Sequence, residues 1–268
     1  MKKGATDSGA PGDAPGEKTE FSLIPASTLE TLYRNLLRGR MLESRMRRGT
    51  AVRDDGWDAV KAATAAVLMD TVATDLVATS DEIPAARLLR GQKAPMVIRQ
   101  RETQDDAGRQ LLHAVGTALA SHTRKDGKVS VVFWRQAGQE IWQDALEMAR
   151  AHTLPLILVC PESKPVKDTR GLEPGTELPR IIADGYDAVA VYRVAHEAID
   201  RARRNRGASL IECATFRVKG HRHGDAIANM ERYLRGKGLL RRGMRREIEG
   251  EFAEELRPQL GVRKGIRR

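Results

Sequence analysis

Two histidines separated by one residue, His221 and His223, form the only close pair among the six histidines of the chain. In extended backbone, residues two apart point to the same side, so both imidazoles could face one ligand. Imidazole nitrogens bind zinc and Asp225 could add a carboxylate, but no further cysteine or carboxylate completes a recognised ligand spacing. The pattern is compatible with a zinc site and with a polar surface loop.

A second place for chemistry is the edge of a buried sheet. Residues 129–133 and 154–160 are short apolar runs typical of strands, and residues 139–152 between them carry apolar side chains at helical spacing. This order predicts an α/β fold with a mostly parallel sheet and helices on both faces. Ligands of such sheets bind at the carboxyl ends of the strands, which places the site at residues 133–138 and 160–163.

The first of these strand ends lacks the side chains that metal chemistry requires. No Asp, Asn or Glu occurs from residue 129 to residue 138, and the strand leads directly into Phe133, Trp134 and Arg135. Mg²⁺ binds hard oxygen ligands, which an indole ring cannot provide. Arg135 could pair with a phosphate directly, whereas Trp134 would fill the space as a packed side chain.

Several motifs follow one another in an order known from one enzyme family. The helix segment Trp-Gln-Asp-Ala-Leu-Glu at 142–147 and the strand at 154–160 carry the match, with a helix at 113–120 and the turn Asp-Gly-Tyr-Asp at 184–187. Over residues 29–256 the sequence resembles the alpha subunit of thiamine-diphosphate-dependent 2-oxo acid dehydrogenases, which act on pyruvate, branched-chain 2-oxo acids or acetoin. The resemblance implies the thiamine-diphosphate-binding fold.

The resemblance also implies a site that has lost its ligands. Members of the family hold Mg²⁺, and through it the cofactor diphosphate, with an Asp and an Asn that correspond to Trp134 and Ser163, while a family glycine corresponds to Arg135. A family Tyr-Arg pair corresponds to Asp81 and Glu82, which would repel a diphosphate. We therefore expect no intact cofactor-binding residue, no metal site and no cofactor in this chain, although active relatives use thiamine diphosphate and Mg²⁺.

His221 is the one candidate catalytic residue, because the resemblance matches it to a histidine at the active-site channel of the family. The favoured hypothesis is a degenerate, cofactor-free subunit that pairs with a beta-like dehydrogenase subunit and also self-associates. One alternative is an active decarboxylating subunit whose site is rebuilt by other residues. Another is a basic protein associated with nucleic acid.

Composition bounds the organisation of the chain. Its 268 residues are 41% hydrophobic, enough for one folded domain, which we predict over residues 21–258. Residues 1–20 are predicted to be a disordered tail and residues 259–268 a basic tail. No apolar run approaches the ~18 residues of a membrane span, and we expect a cytoplasmic protein. Cys160 and Cys213 lack metal-ligand spacing and are predicted to be buried thiols.

The net charge of +10 raises the question of nucleic-acid binding. Basic residues concentrate at 201–206, 241–246 and 257–268, where they could neutralise phosphates. Glutamates occur at pairing distances along the same predicted helices, which indicates solvated helix surfaces instead. An aromatic content of 4% leaves little to stack on bases. The composition therefore disfavours nucleic acid as a partner.

Overall fold

The chain folds around a five-stranded parallel sheet. The computed structural model describes residues 24–46, 57–79, 83–99, 107–134, 139–163, 178–215 and 224–257. The strands are β1 (Leu76–Thr79), β2 (Ser130–Phe133), β3 (Leu156–Ser163), β4 (Arg180–Asp184) and β5 (Ser209–Ala214). Their order across the sheet is β1-β2-β3-β5-β4, so that β1 and β4 form the edges.

Helices cover both faces of this sheet. The described helices are α1 (Ala26–Met46), α2 (Trp57–Val67), α3 (Pro84–Leu89), α4 (Ala94–Arg99), α5 (Ala107–Arg124), α6 (Gln139–Ala151), α7 (Ala188–Arg203), α8 (Ala226–Gly236) and α9 (Met244–Glu255), and a 3₁₀ turn, Leu68–Asp70, follows α2. One face packs against α2 and α7, which α1 and α8 contact in turn, and the other packs against α5 and α6. The predicted α/β class with a parallel sheet is confirmed.

The side chains of β2 show how the two layers divide the core. Val131 and Phe133 belong to the core cluster that contains α2 and α7, whereas Val132 and the following Trp134 belong to the cluster that contains α5 and α6. This alternation is the two-residue period of a strand. All four residues of β2 are buried because the strand is covered on both faces, and three of them are apolar. The continuous apolar run in the sequence has this cause.

The predicted strand-helix-strand unit is present as β2, α6 and β3, with β2 and β3 parallel. β3 continues beyond the apolar run to Ser163, because it resumes pairing with Ala214 of β5 after a register shift that follows Cys160. Between α3 and α5 the chain forms the short helix α4, which the sequence patterns did not predict. Its Ala94 and Val97 are buried in a small cluster with side chains of α1, α3 and α9.

An ion pair fixes the amino-terminal edge of the sheet. Arg203, the last residue of α7, donates to both carboxylate oxygens of Asp75, at 2.8 Å and 3.1 Å. The Asp75 side chain is 0% exposed and also accepts hydrogen bonds from the backbone N–H groups of Val72 and Val129. Arg203 further donates to the carbonyl oxygens of Asp70 and Gly127. One guanidinium therefore joins α7 to the loops that begin β1 and β2.

The basic clusters of the C-terminal helices contain many ion pairs. Arg241 pairs with Glu247 at 2.9 Å, Arg245 with Glu249 at 2.8 Å, and Arg257 with Glu254 at 2.9 Å. These contacts agree with the interpretation of the charges as solvated helix surfaces. Among the described residues, no helix combines the length and the apolar character needed to cross a membrane.

Candidate functional site

The carboxyl end of β2 is occupied by an aromatic side chain. Trp134 follows the strand directly, and its backbone N–H donates to the carbonyl oxygen of Val159 at 2.8 Å, so the residue is still held by the sheet. Its indole is 4% exposed and lies in the core between the sheet, α5 and α6. The strand end at which the sequence predicts a ligand site thus holds a packed side chain. The alternation of side chains along β2 directs residue 134 towards α5 and α6.

A second indole stacks on the first. Trp142, in α6, is 2% exposed, and its ring centroid lies 5.8 Å from that of Trp134 with an interplanar angle of 25°. Both indole N–H groups are enclosed and donate to no acceptor among the described residues. An N–H donor cannot coordinate a cation, and both stacked rings are buried. The pair is therefore unsuited to the oxygen chemistry of Mg²⁺.

Ser163 is the other predicted cofactor-site residue within the described part of the chain. Ser163 ends β3, and its backbone lies in register with Ala214. Arg135, Asp81, Glu82, His221 and His223 lie outside the described residues. Of the predicted site residues, Trp134 is the one whose surroundings are described. It stacks on Trp142, a contact that was not predicted from the sequence.

The carboxylates at the end of β4 have structural roles. Asp184 accepts a hydrogen bond from the Tyr186 N–H at 2.9 Å, and Asp187 caps α7 by accepting from Val189 and Ala190 at 3.0 Å each. Between them, a Cβ on Gly185 would lie 3.1 Å from the Cβ of Ala59 and 3.2 Å from the carbonyl oxygen of Cys213. Glycine is needed because α2 and β5 approach the turn closely.

Asp225, considered above as a zinc ligand, caps a helix. Its Oδ1 accepts from the backbone N–H groups of Ile227 and Ala228 at the start of α8. Arg40 of α1 binds both carboxylate oxygens, at 2.7 Å and 3.2 Å. Partial burial acts to raise the pKa of Asp225, but the Arg40 guanidinium and the helix N–H groups outweigh it and hold the pKa below its usual value. The carboxylate joins α1 to α8.

We expect Asp225→Asn to lower the free energy of unfolding by about 1 kcal/mol at neutral pH. Asparagine caps helices as well as aspartate does, so the loss reports the ion pair with Arg40. The folded-state pKa of Asp225 is depressed, so this contribution is present above the unfolded-state value of about 3.9 and is lost as the pH falls through the folded-state value. Urea unfolding of both proteins from neutral to strongly acidic pH measures the difference.

Two controls define this prediction. Arg40→Gln should cause a similar loss at neutral pH, and the double variant should lose less than the sum of the two single losses, because both changes remove one interaction. A difference between wild type and Asp225→Asn that persists unchanged in strong acid would contradict the assignment.

A buried ion pair between α1 and α2 was not predicted from the sequence. Lys61 of α2 lies 3.1 Å from the Oε2 of Glu43 of α1, and their side chains are 10% and 5% exposed. The only sequence signal was the presence of a lysine and a glutamate on otherwise apolar helix faces. Because two buried charges stabilise each other only in close pairs, this contact fixes the relative position of α1 and α2.

The two thiols are inert components of the core, as predicted. Cys160 and Cys213 are both buried. Burial raises the pKa of Cys160 to about 12 and raises that of Cys213 as well. Both side chains remain protonated at neutral pH, and a thiol is a poor nucleophile and metal ligand in that state. In the described part of the chain, no three His, Cys, Asp or Glu side chains are grouped closely enough to hold a metal ion.

The fold and the strand ends define a class: an α/β protein with a parallel sheet whose carboxyl edge is the position for a ligand. A family model described as "Dehydrogenase E1 component" matches residues 88–232, which is more than half of the chain. The chain belongs to this dehydrogenase E1 component family. The resemblance derived from the sequence motifs is confirmed.

Similar proteins include alpha subunits from bacteria and plants. The chain is 34% identical to the alpha subunit of acetoin:2,6-dichlorophenolindophenol oxidoreductase of Bacillus subtilis over 126 residues, 42% of this chain and 38% of the relative. It is 30% identical to the alpha subunit of 2-oxoisovalerate dehydrogenase of the same organism, over 43% and 39% of the two chains.

A plant relative extends the comparison. The alpha-3 subunit of the chloroplastic pyruvate dehydrogenase E1 component of Arabidopsis thaliana is 31% identical over 42% of this chain and 31% of its own length. The matches to these three relatives thus span less than two fifths of the length of each. The family assignment rests on the family model, and the activity of this chain is left to be proposed.

Proposed function

We propose that this chain is an alpha-type subunit of an E1 component that pairs with a beta-type subunit and holds neither thiamine diphosphate nor Mg²⁺ on its own residues. The observation that supports this most directly is the buried stack of Trp134 on Trp142 at the end of β2. The proposal describes a pseudoenzyme whose contribution to the complex is structural or regulatory.

The chemistry of the site argues for this proposal. The family resemblance assigns a metal-binding Asp to position 134, where an indole now supplies a hydrogen-bond donor in place of an oxygen ligand. The carboxylates of Asp184 and Asp187 after β4 and of Asp225 before α8 accept hydrogen bonds from backbone N–H groups. Ligation of a cation would compete with these bonds. The described residues do not fit Mg²⁺, and we derive no catalytic step that depends on it.

Exposed apolar side chains support the existence of a protein partner. Leu112 of α5 is 53% exposed, and Ile141 and Met148 of α6 are 39% and 43% exposed. These two helices pack side by side on the sheet. Apolar side chains on neighbouring outer helix surfaces favour contact with another subunit. The relatives are named as alpha subunits, so we propose a beta-type partner, together with self-association and a cytoplasmic location.

A cofactor titration tests the proposal. The variant Trp57→Phe leaves Trp134 and Trp142 as the only tryptophans, and their emission then reports on the strand end itself. We expect no saturable change in emission with thiamine diphosphate and Mg²⁺ together up to about 1 mM, corresponding to a binding free energy weaker than about 4 kcal/mol in magnitude.

Mg²⁺ alone and thiamine without the diphosphate are the matched ligand controls, because they separate metal binding from ring contacts. Saturable quenching that requires both thiamine diphosphate and Mg²⁺ would show that other residues rebuild the site. The active-subunit alternative would then replace the proposal.

A further inference from the structure

The strand β4 leaves one edge of the parallel sheet open. It is the last strand in the sheet order, and among the described strands it pairs with β5 alone. Its central residue, Ile182, is 58% exposed, more than any other large apolar side chain in the described part of the chain. Proline, lysine and bulges commonly protect the edge strands of monomeric proteins. Residues 180–184 contain neither proline nor lysine and keep a continuous register with β5.

The backbone of Ile182 points towards this open edge. Just before β4, the Pro179 carbonyl oxygen accepts from the Leu210 N–H of β5. Just after β4, the Gly185 N–H donates to the Ala214 carbonyl oxygen of β5. Backbone groups alternate in direction along a strand, so the odd positions face β5 and position 182 faces away from it. The N–H and carbonyl oxygen of Ile182 have no hydrogen-bond partner among the described residues.

Three side chains of β4 lie on one face of the sheet. Arg180, Ile182 and Asp184 alternate with two residues that pack with the core cluster of α2 and α7, so the three lie on the opposite face. The Arg180 side chain is 35% exposed and binds Glu212 at 2.8 Å, and Asp184 is exposed. The row consists of a cation, an apolar side chain and a carboxylate at equal spacing.

This row of side chains is complementary to itself. When two antiparallel copies of β4 pair about a two-fold axis at Ile182, Arg180 of each copy lies opposite Asp184 of the other. The two Ile182 side chains then lie opposite each other. The match requires only the sign of each charge, so it holds while Arg180 remains bound to Glu212. A shift of the register by two residues would place a charged side chain opposite Ile182.

We propose that β4 pairs with β4 of a second copy of this chain, antiparallel and in register at Ile182, so that the two sheets become continuous. The two Ile182 residues donate to and accept from each other through their backbone groups. Their side chains remove each other from water. Because only two five-residue strands meet, we expect a weak dimer in equilibrium with the monomer. The inference rests on the self-association proposed above and names the surface that supports it.

Charged variants at position 182 test this pairing, because residue 182 faces its own copy. Sedimentation velocity of the full chain over a range of concentrations measures the dimer. Ile182→Lys and Ile182→Glu should each weaken dimerisation about tenfold or more, because like charges then lie opposite each other and an apolar contact is lost. An equimolar mixture of the two variants should form a mixed dimer about tenfold tighter than either variant alone, because the facing charges are then opposite.

Two further variants serve as controls. Val72 is 50% exposed and lies outside β4, so Val72→Lys adds the same charge elsewhere and should leave the dimer unchanged. Ile182→Val keeps the N–H and the apolar side chain and should also leave it unchanged. Circular dichroism melts verify that each variant is folded.

Ile182→Pro tests the contribution of the backbone. Proline is tolerated on an edge strand where its nitrogen faces away from the sheet, and it removes the N–H that donates to the second copy. We expect about a tenfold weaker dimer than for Ile182→Val.

Three outcomes would overturn the proposal. A dimer of equal strength in wild type and Ile182→Lys would place self-association on another surface. A mixture of the Lys and Glu variants that dimerises no better than either alone would exclude the two-fold axis at Ile182. A wild-type chain that stays monomeric up to about 0.1 mM would exclude this interface and self-association together. None of these results affects the cofactor titration or the proposed beta-type partner, so failure of this interface is distinguishable from failure of the proposed function.

Discussion

Arg203→Met is expected to lower the free energy of unfolding by about 3–5 kcal/mol, because it leaves a buried carboxylate without its counter-charge. The Asp75 side chain is 0% exposed and is bound by both terminal nitrogens of Arg203. The variant also removes the hydrogen bonds to the carbonyl oxygens of Asp70 and Gly127. Urea unfolding followed by circular dichroism measures the loss.

The adjacent arginine provides a matched control. Arg204 pairs with Asp200 four residues earlier, and their side chains are 63% and 47% exposed, so Arg204→Met should change stability by no more than about 0.5 kcal/mol. Arg203→Lys should give an intermediate loss, because an ammonium group cannot reproduce the bidentate contact. Equal effects of the Arg203→Met and Arg204→Met variants would contradict the role of the buried pair.

Trp134→Ala is expected to cost about 3–5 kcal/mol of unfolding free energy through the cavity that it creates at the end of β2. The side chain is 4% exposed and belongs to the core between the sheet, α5 and α6. The variant should also abolish the exciton signal of the two coupled indoles in circular dichroism, because it removes one member of the stack with Trp142. Unfolding and the spectrum are measured on the same samples.

Two further variants separate the contributions to this effect. Trp134→Phe keeps an aromatic ring in the stack and removes a donor that finds no described acceptor, so its loss should be clearly smaller than that of Trp134→Ala. Leu112→Ala, at a side chain that is 53% exposed, should have little effect. A Trp134→Ala protein as stable as the Leu112→Ala protein would mean that the indole is not part of the core.

The fold could be predicted where local patterns determine it. The apolar runs of β2 and β3 and the helical spacing of α6 identified the central unit, since strands buried on both faces require continuous apolar side chains. The bounds of the strands and helices were harder to predict from the sequence. β3 extends to Ser163 because β5 is there to pair with it, and this tertiary contact leaves no mark on the local sequence. α4 was missed because only two of its residues, Ala94 and Val97, are buried.

The candidate site illustrates the same limit. The sequence predicted that Trp134 stands at a strand end without oxygen ligands, because residue types and strand alternation are local properties. It did not predict the contact of Trp134 with Trp142. It also did not predict the ion pair between Asp75 and Arg203, two residues that are 128 positions apart in the chain. Long-range pairs of this kind depend on topology.

The most direct test of the central claim is the cofactor content of the native complex. The chain is purified with its partners from its source, the partners are identified by mass spectrometry, and thiamine diphosphate and Mg²⁺ are quantified per subunit. We expect a beta-type partner and no cofactor that depends on this chain, so that Trp134→Phe leaves the cofactor content of the complex unchanged. Stoichiometric thiamine diphosphate that is lost when this chain is removed would contradict it.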